Sequence, residues 1–275
     1  MNKERIIGVS DVRRFYEVMR ESYKVDYSYM ASTSLKRRIE KFIELENIGF
    51  DAFLDLVKKN DEFHRKFLNF IRIKGTELFR DPSLWRMLRD KILPDMIAER
   101  GIIKIWIPDV STSEDLFSLL ILLQETNLRS KVIIEGSFNE YLPYDLNNIP
   151  VYPHSEIEIS AGNYKRFNEK SDFMQYVNAV QGGYTINNDF LQGFSLSTFN
   201  FVNPQTPASL YDITLCRNIL IYYSQPQHDR LLTVFLDALV KNGLLILGHF
   251  ESIAFCRDYS RFTPIYESER IFKKN

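Results

Sequence analysis

The sequence predicts an α/β domain with a mainly parallel sheet, preceded by a small all-α domain. Three observations predict it. The stretch 102–125, IIKIWIPDVSTSEDLFSLLILLQE, reads as strand, tight loop and helix in immediate succession. A second succession of buried strand, helix and strand runs from Tyr211 to Gly248. Between Ser10 and about Phe70 the apolar residues recur at helical spacing with no strand among them. The domains are therefore expected at 1–72 and 73–275, the second with an irregular insertion near 136–195.

Taken in order, Ser10 can cap a helix carrying Val12, Phe15, Tyr16, Met19 and Tyr23, and Ser34 a second with Leu35, Ile39, Phe42 and Ile43. A third carries Phe50, Phe53, Leu54 and Val57, and a fourth Phe63, Phe67, Leu68 and Ile71. Lys36, Arg37, Arg38 and Lys41 make the second helix basic on its exposed side, which is either a solvated face or a docking surface for an acidic partner. Asp81 followed by Pro82 resembles a cap and first turn, after which Leu84, Met87, Leu88 and Ile92 face inward.

The run Ile102, Ile103, Ile105, Trp106, Ile107 suits a strand buried on both faces, and Pro108 ends it. Ser111, Thr112 and Ser113 are capping residues, and Glu114 and Asp115 suit the positive end of a helix dipole. Lys131 to Glu135 is a second strand. The part from Gly136 to about Gly162 has no clear period, and 171–180 reads as a short helix ended by Gly182 and Gly183. Phe194 to Phe201 alternates as a strand, Tyr211 to Ile221 is a buried one, and Ser224 and Pro226 open a helix closed by Asn242 and Gly243. Leu244 to Gly248 and an antiparallel pair over 261–272 complete the sheet.

Composition narrows the function. Hydrophobic residues at 45% and charged residues at 26% are ordinary for a globular protein, and a net charge of −1 supplies no global pull toward nucleic acid or anionic lipid. The two cysteines, Cys216 and Cys256, outline neither a disulfide framework nor a zinc site. With no secretory signal and no apolar run near the ~20 residues that span a bilayer, a cytoplasmic protein without membrane insertion is expected. The four histidines are dispersed, no nucleophile elbow exists, and neither GxGxxG nor GxxxxGK[ST] occurs, so hydrolase triads, metal centres and glycine-rich phosphate loops find no support.

Chemistry is concentrated at two places. The loop after the first strand could bind an anion or nucleoside, or merely connect, and it contains no glycine between Pro108 and Phe117. Arg217, Asn218 and Tyr222 lie at or just past the end of a central strand, where open parallel sheets bind ligands. An Arg and an Asn there are costly to bury without partners, and the partner could be a ligand, local backbone or a carboxylate.

With these residues in view, the chain resembles the CheR-type chemotaxis methyltransferases, which transfer a methyl group from S-adenosylmethionine to glutamate side chains of chemoreceptors. The segment CRNILIYYSQPQHDRLLTVFLDALVKNGLLILGHFES is similar to the family's CRNVLIYF and GHSES patterns, and TELFRDP stands for its T-x-FFR-[DE]-P. The resemblance implies a Rossmann-like methyltransferase domain. It also implies Thr76 and Arg80 at the cofactor's methionine end, Asn200 and Phe201 near adenine, and Arg217 and Asn218 beside the cofactor. Asp115 would keep the charge of the second loop Glu, Tyr222 would lie close to the transferred methyl, and the basic helix would face the receptor. If active, Arg80, Arg217 and Tyr222 would orient a substrate carboxylate for in-line attack, a reaction that rests on positioning.

The loop departs from the family. Where it reads W-x-A-G-C-S-T-G-E-E-P-Y-S, this chain places Asp109 at the first glycine and Ser113 at the glycine before Glu-Glu. The acidic residue that would accept the ribose hydroxyls aligns with Gly136, and Glu135 beside it should point to the other face. Lys74 replaces an Asn. Charge-assisted bonds are worth roughly 1.5–3 kcal/mol each, so two or three such losses would weaken the cofactor by something on the order of a thousandfold. The expectation is a homologue with lost or weakened S-adenosylmethionine binding and a non-catalytic binding or regulatory role toward a protein partner, without metal. The alternative is an active protein-glutamate O-methyltransferase. Nucleic-acid binding by the basic helix is a third reading, which the net charge disfavours.

Overall fold

The structure, a computed structural model, describes residues 7–71, 77–111, 113–139, 150–187, 189 and 192–275. Its contacts divide the chain into two units: Met1–Ile73 with Ile219–Arg230, and Lys74–Asn218 with Leu231–Asn275.

In the first unit, α1 (Val9–Tyr23), α2 (Ser32–Glu46), α3 (Phe50–Lys59) and α4 (Asp61–Ile71) follow the predicted apolar spacing. That spacing gathers Phe15, Phe42, Phe53 and Phe67 into one core, where Phe67 meets the other three rings edge-on at 5.6, 5.2 and 5.0 Å between centroids. Two caps differ from expectation. α1 starts before Ser10, with the Gly8 N–H donating to Asp11, and α2 starts at Ser32 with Ala31 as its N-cap, so neither Ser10 nor Ser34 caps. Residues 219–230 join this unit through an antiparallel bridge between Met30 and Tyr223, with the Ala31 N–H donating to the Tyr222 carbonyl.

The second unit is Rossmann-like. Its strands are β1 (Ile103–Ile107), β2 (Val132–Asn139), β5 (Phe194–Phe199), β6 (Tyr211–Cys216), β7 (Leu239–Leu247), β8 (Phe262–Tyr266) and β9 (Ile271–Lys274), with the hairpin β3 (Val177–Val180) and β4 (Gly183–Ile186) outside the main sheet. The seven run in the order β5-β2-β1-β6-β7-β9-β8; the first five are parallel, and β9 and β8 close the sheet antiparallel. β1 is flanked on both sides and buried on both faces except at Lys104, which is why it reads as an almost continuous apolar run.

Ahead of β1, α5 (Pro82–Met87) passes through a π-helical turn, Leu88–Ile92, into α6 (Leu93–Arg100). The wide turn falls where Pro94 has no N–H to continue the helical ladder. α7 (Glu114–Glu125) follows β1, α8 (His154–Phe167) precedes the hairpin, and α9 (Gln225–Ala238) leads into β7.

Three expectations change here. Residues 171–180 hold a 3-10 turn, Phe173–Tyr176, followed by β3, because the backbone turns extended at Val177, which packs inward, instead of continuing a helical face. The unassigned part from Gly136 to about Gly162 contains the end of β2 and most of α8. The strand expected to reach Ile221 stops at Cys216 and gives way to a 3-10 turn, Leu220–Tyr222.

Candidate functional site

β6 ends in the sheet's interior, and the next residue is Arg217, whose guanidinium is fully buried. A charge so placed must find partners. It donates to Asp115 at 2.5 Å, to Asp81 at 2.7 Å and to the Arg80 carbonyl at 3.0 Å, and lies 5.6 Å from the Trp85 ring centroid. Among the described residues its Nε has no partner. The guanidinium therefore ties the end of β6 to the first turn of α7 and to the 80–81 turn. Loss of water raises the Asp115 carboxyl above its ordinary range, with Arg217 pulling the other way and Asp81 adding to the rise.

The backbone around this clamp is strained. Phe79, Asp81, Ser113 and Asn218 all have positive φ, between 53° and 67°, a region costly for side-chain-bearing residues and frequent at ligand sites. Each is held. The Phe79 N–H donates to Ser118 Oγ, and the Leu78 N–H donates to Ser160 Oγ while the Leu78 carbonyl accepts from Asn163. Ser113 Oγ donates to the Val110 carbonyl at 3.2 Å. The Asn218 N–H donates to the buried Glu251 carboxylate at 2.8 Å, which also takes the Gly248 N–H at 2.6 Å. A Cβ on Gly248 would meet Asn218 Oδ1 at 2.6 Å, so this close approach requires glycine.

The loop between β1 and α7 is turned in on itself. The Asp109 carboxylate accepts the Ser111 N–H at 2.9 Å, closing an Asx turn, and the Val110 N–H donates to the Ser137 carbonyl at 2.7 Å. Ser113 precedes α7 as its N-cap in the left-handed region, and its side chain makes no cap bond. The Val110 side chain is 1% exposed and packs on Gly136, where a Cβ would lie 2.9 Å from Val110 Cγ1 and 2.8 Å from Leu196 Cδ2. Glu135 faces the opposite way, accepting from Tyr211 at 2.6 Å and from Lys104 at 2.8 Å. Against the cost of lost water, those two bonds hold its carboxyl below the usual range.

Of the residues singled out in the sequence, the structure brings together Arg80, Asp115 and Arg217, with Asn218 adjacent. Arg217 is occupied by carboxylates and a carbonyl of the chain itself. Asn200 Oδ1 accepts the N–H groups of Val202 and Asn203, shaping the turn after β5. Phe201 is fully buried, edge-on to Phe199, which in turn meets Trp106 of β1. Thr76 and Lys74 lie outside the described residues.

Tyr222 belongs to the helical unit, where the Arg38 guanidinium sits 4.5 Å from its ring centroid. Arg38 is thus half-buried on an aromatic face and does not extend the exposed basic stripe. Within the same helix Lys36 pairs with Glu40 at 3.7 Å and Lys41 with Glu44 at 2.9 Å. Sequence reasoning missed Val110, Ser118, Ser160, Asn163 and Glu251. The signal for Glu251 was available, as an acid next to apolar residues after a central strand; that for Val110 was not, since a valine in a loop announces nothing.

At Gly136, level with the last residue of β1, the space a Cβ would take is met by methyl groups of Val110 and Leu196. Asp81, Asp115, the Arg80 carbonyl and Arg217 form one bonded cluster.

Residues 74–268 match the family described as CheR methyltransferase, SAM binding domain. The chain is 27% identical over 278 residues to Cher3 of Pseudomonas putida, covering 100% of both. It is 24% identical over 267 residues to a chemotaxis protein methyltransferase of Listeria innocua, covering 92% of this chain and 94% of that one. To chemotaxis protein methyltransferase 2 of Vibrio cholerae it is 24% identical over 263 residues, covering 94% and 88%.

Proposed function

The chain belongs to the CheR methyltransferase family, and from that premise we propose that it is a member with weakened S-adenosylmethionine binding that acts as a non-catalytic binding or regulatory protein in chemotaxis-type signalling. The observation that carries this reading is the packing of Val110 against Gly136. A carboxylate at position 136 would receive both ribose hydroxyls, and its absence forfeits charge-assisted bonds worth roughly 1.5–3 kcal/mol each. Val110 and Leu196 stand where its Cβ would be. Asp109, folded onto the Ser111 N–H, takes that donor and sets a negative charge in the loop.

A second reading, an active protein-glutamate O-methyltransferase, is favoured by the left-handed backbone at Ser113, which follows a path suited to glycine, and by the intact clamp on Arg217. In both readings the protein is cytoplasmic and its partner is a protein of the chemoreceptor type. The basic helix, with Arg37 and Lys41 exposed on it, would contribute one face of that contact.

Isothermal titration of the full chain with S-adenosylmethionine and S-adenosylhomocysteine separates the two readings. We expect no saturation below millimolar ligand; a low-micromolar Kd sinks the first reading. Transfer of labelled methyl to receptor fragments would then establish the second.

A further inference from the structure

The seven-stranded sheet has two edges, and the chain treats them differently. At one edge β8 is blunted: Pro264 withholds an N–H, the register against β9 shifts between Pro264 and Tyr266, and Arg261 and Glu267 flank the strand. At the other edge β5 has no such protection. Its sequence, FSLSTF, holds no charge and no proline, and it pairs with β2 from Ile134↔Phe194 to Asn139↔Phe199 with no shift of register. Among the described residues no backbone bond beyond those to β2 reaches Phe194–Phe199, and Ser195, Ser197 and Thr198 are exposed. The strand is nonetheless fixed, by β2 along one side and, at its start, by the Arg129 guanidinium donating to the Gln192 and Gly193 carbonyls. Alternate residues of β5 therefore aim their N–H and C=O groups outward in a preset row, and an uncharged row of this kind is a template for another strand.

The strand's own sequence selects the occupant, because FSLST is nearly symmetric about Leu196. Two copies paired antiparallel about a two-fold axis normal to the sheet keep corresponding faces on the same side. In the register centred on Leu196, that residue faces its own counterpart, Ser195 faces Ser197 of the second copy, and Phe194 faces Thr198. These are the hydroxyl–hydroxyl and aromatic–β-branched pairs that stabilise antiparallel strands, and no charge opposes its like. A charged foreign segment would find no ion pair on this strand. The two-fold contact also closes on itself, so it uses up the unprotected edge of both copies and leaves only the blunted β8 edges outside. We propose that β5 is the contact of a homodimer, in which antiparallel β5–β5 pairing joins two sheets into one. This proposal does not depend on whether the cofactor binds.

Sedimentation velocity of the full chain provides the test. A single strand pair is a small interface, so dimer should accumulate at about 10–100 µM protein. Ser195→Lys with Ser197→Lys sets two like-charge pairs across the axis, and Ser195→Glu with Ser197→Glu does the same with the opposite sign. Each double variant should weaken the dimer at least about tenfold. An equimolar mixture of the two sets Lys against Glu and should recover association to the parent's level, which misfolded variants could not do. Both serines are exposed, and the contact given up is the 3.1 Å approach of the Ser197 and Ser137 hydroxyls. A chain that stays monomeric to about 500 µM, a dimer indifferent to both variants, or a mixture that stays monomeric overturns the proposal.

Discussion

The packing of Val110 on Gly136 makes a prediction that couples stability to ligand binding. Placing Asp at position 136 builds a Cβ 2.8 Å from Leu196 Cδ2 and 2.9 Å from Val110 Cγ1, closer than real Cβ contacts come. Overpacking of this kind costs about 1–3 kcal/mol, and a carboxylate set among methyl groups adds a desolvation cost, so Gly136→Asp alone should lose about 3 kcal/mol. Val110→Ala alone removes two buried methyls and should lose about 2 kcal/mol. In the double variant the smaller side chain vacates the space that the new Cβ needs, and Leu196, half-buried on the edge strand β5, can turn aside. The combined loss should fall short of additivity by at least about 1 kcal/mol. Urea denaturation of the four proteins measures the cycle. With a carboxylate restored at position 136, S-adenosylhomocysteine affinity should rise at least about tenfold over the parent. Losses that add to within about 0.5 kcal/mol, or a double variant with no gain in affinity, would refute the reasoning.

Three further outcomes follow from the same geometry. Ser113→Gly relieves a left-handed φ of 67° at the loss of one 3.2 Å hydroxyl bond, and should stabilise by about 0.5–1 kcal/mol, read as a rise in thermal midpoint. Arg217→Met leaves Asp81 and Asp115 facing each other without their cation; since both are partly exposed, the cost should be near the low end of the buried-pair range, about 3 kcal/mol in urea denaturation. His64, buried against the Tyr23 ring at 3.7 Å and with no partner on Nε2 among the described residues, has a depressed pKa through loss of water, opposed by the charge of Asp61. The unfolded chain then binds the proton more readily, so stability is full above the unfolded value of about 6.5 and falls as pH drops below it. His64→Phe should flatten that dependence between pH 7.5 and 5; a parent whose urea midpoint does not move over this range contradicts the assignment.

Much of the fold was legible because its patterns are physical. β1 is apolar except at Lys104 since strands lie on both sides and side chains pack on both faces, and the four N-terminal helices show in their Phe and Leu spacing. α8 was hidden because the face it buries carries Ser160 and Asn163, which serve the backbone of Leu78 and break the apolar period. The capping serines misled because short polar residues mark a helix start only to within a turn. At the site, Arg217 and Asp115 stood out as charges in apolar surroundings, while their mutual bond, and the share taken by Asp81, depend on contacts more than a hundred residues apart. Gly136 could be flagged as a missing acid; that Val110 fills the gap is a matter of packing, which no local pattern encodes.

The inclusion of 219–230 in the helical unit bears on how the chain is made. Ala31 waits for the Tyr222 carbonyl, and the Tyr29 carbonyl for the Ser224 N–H, partners that lie about 190 residues further along. At ordinary synthesis rates they emerge roughly 10–40 s after the first helices. Over that interval Tyr29, Ala31 and Arg38 stand without the partners they take in the finished fold, and the earliest part of the protein to be translated is among the last to be finished.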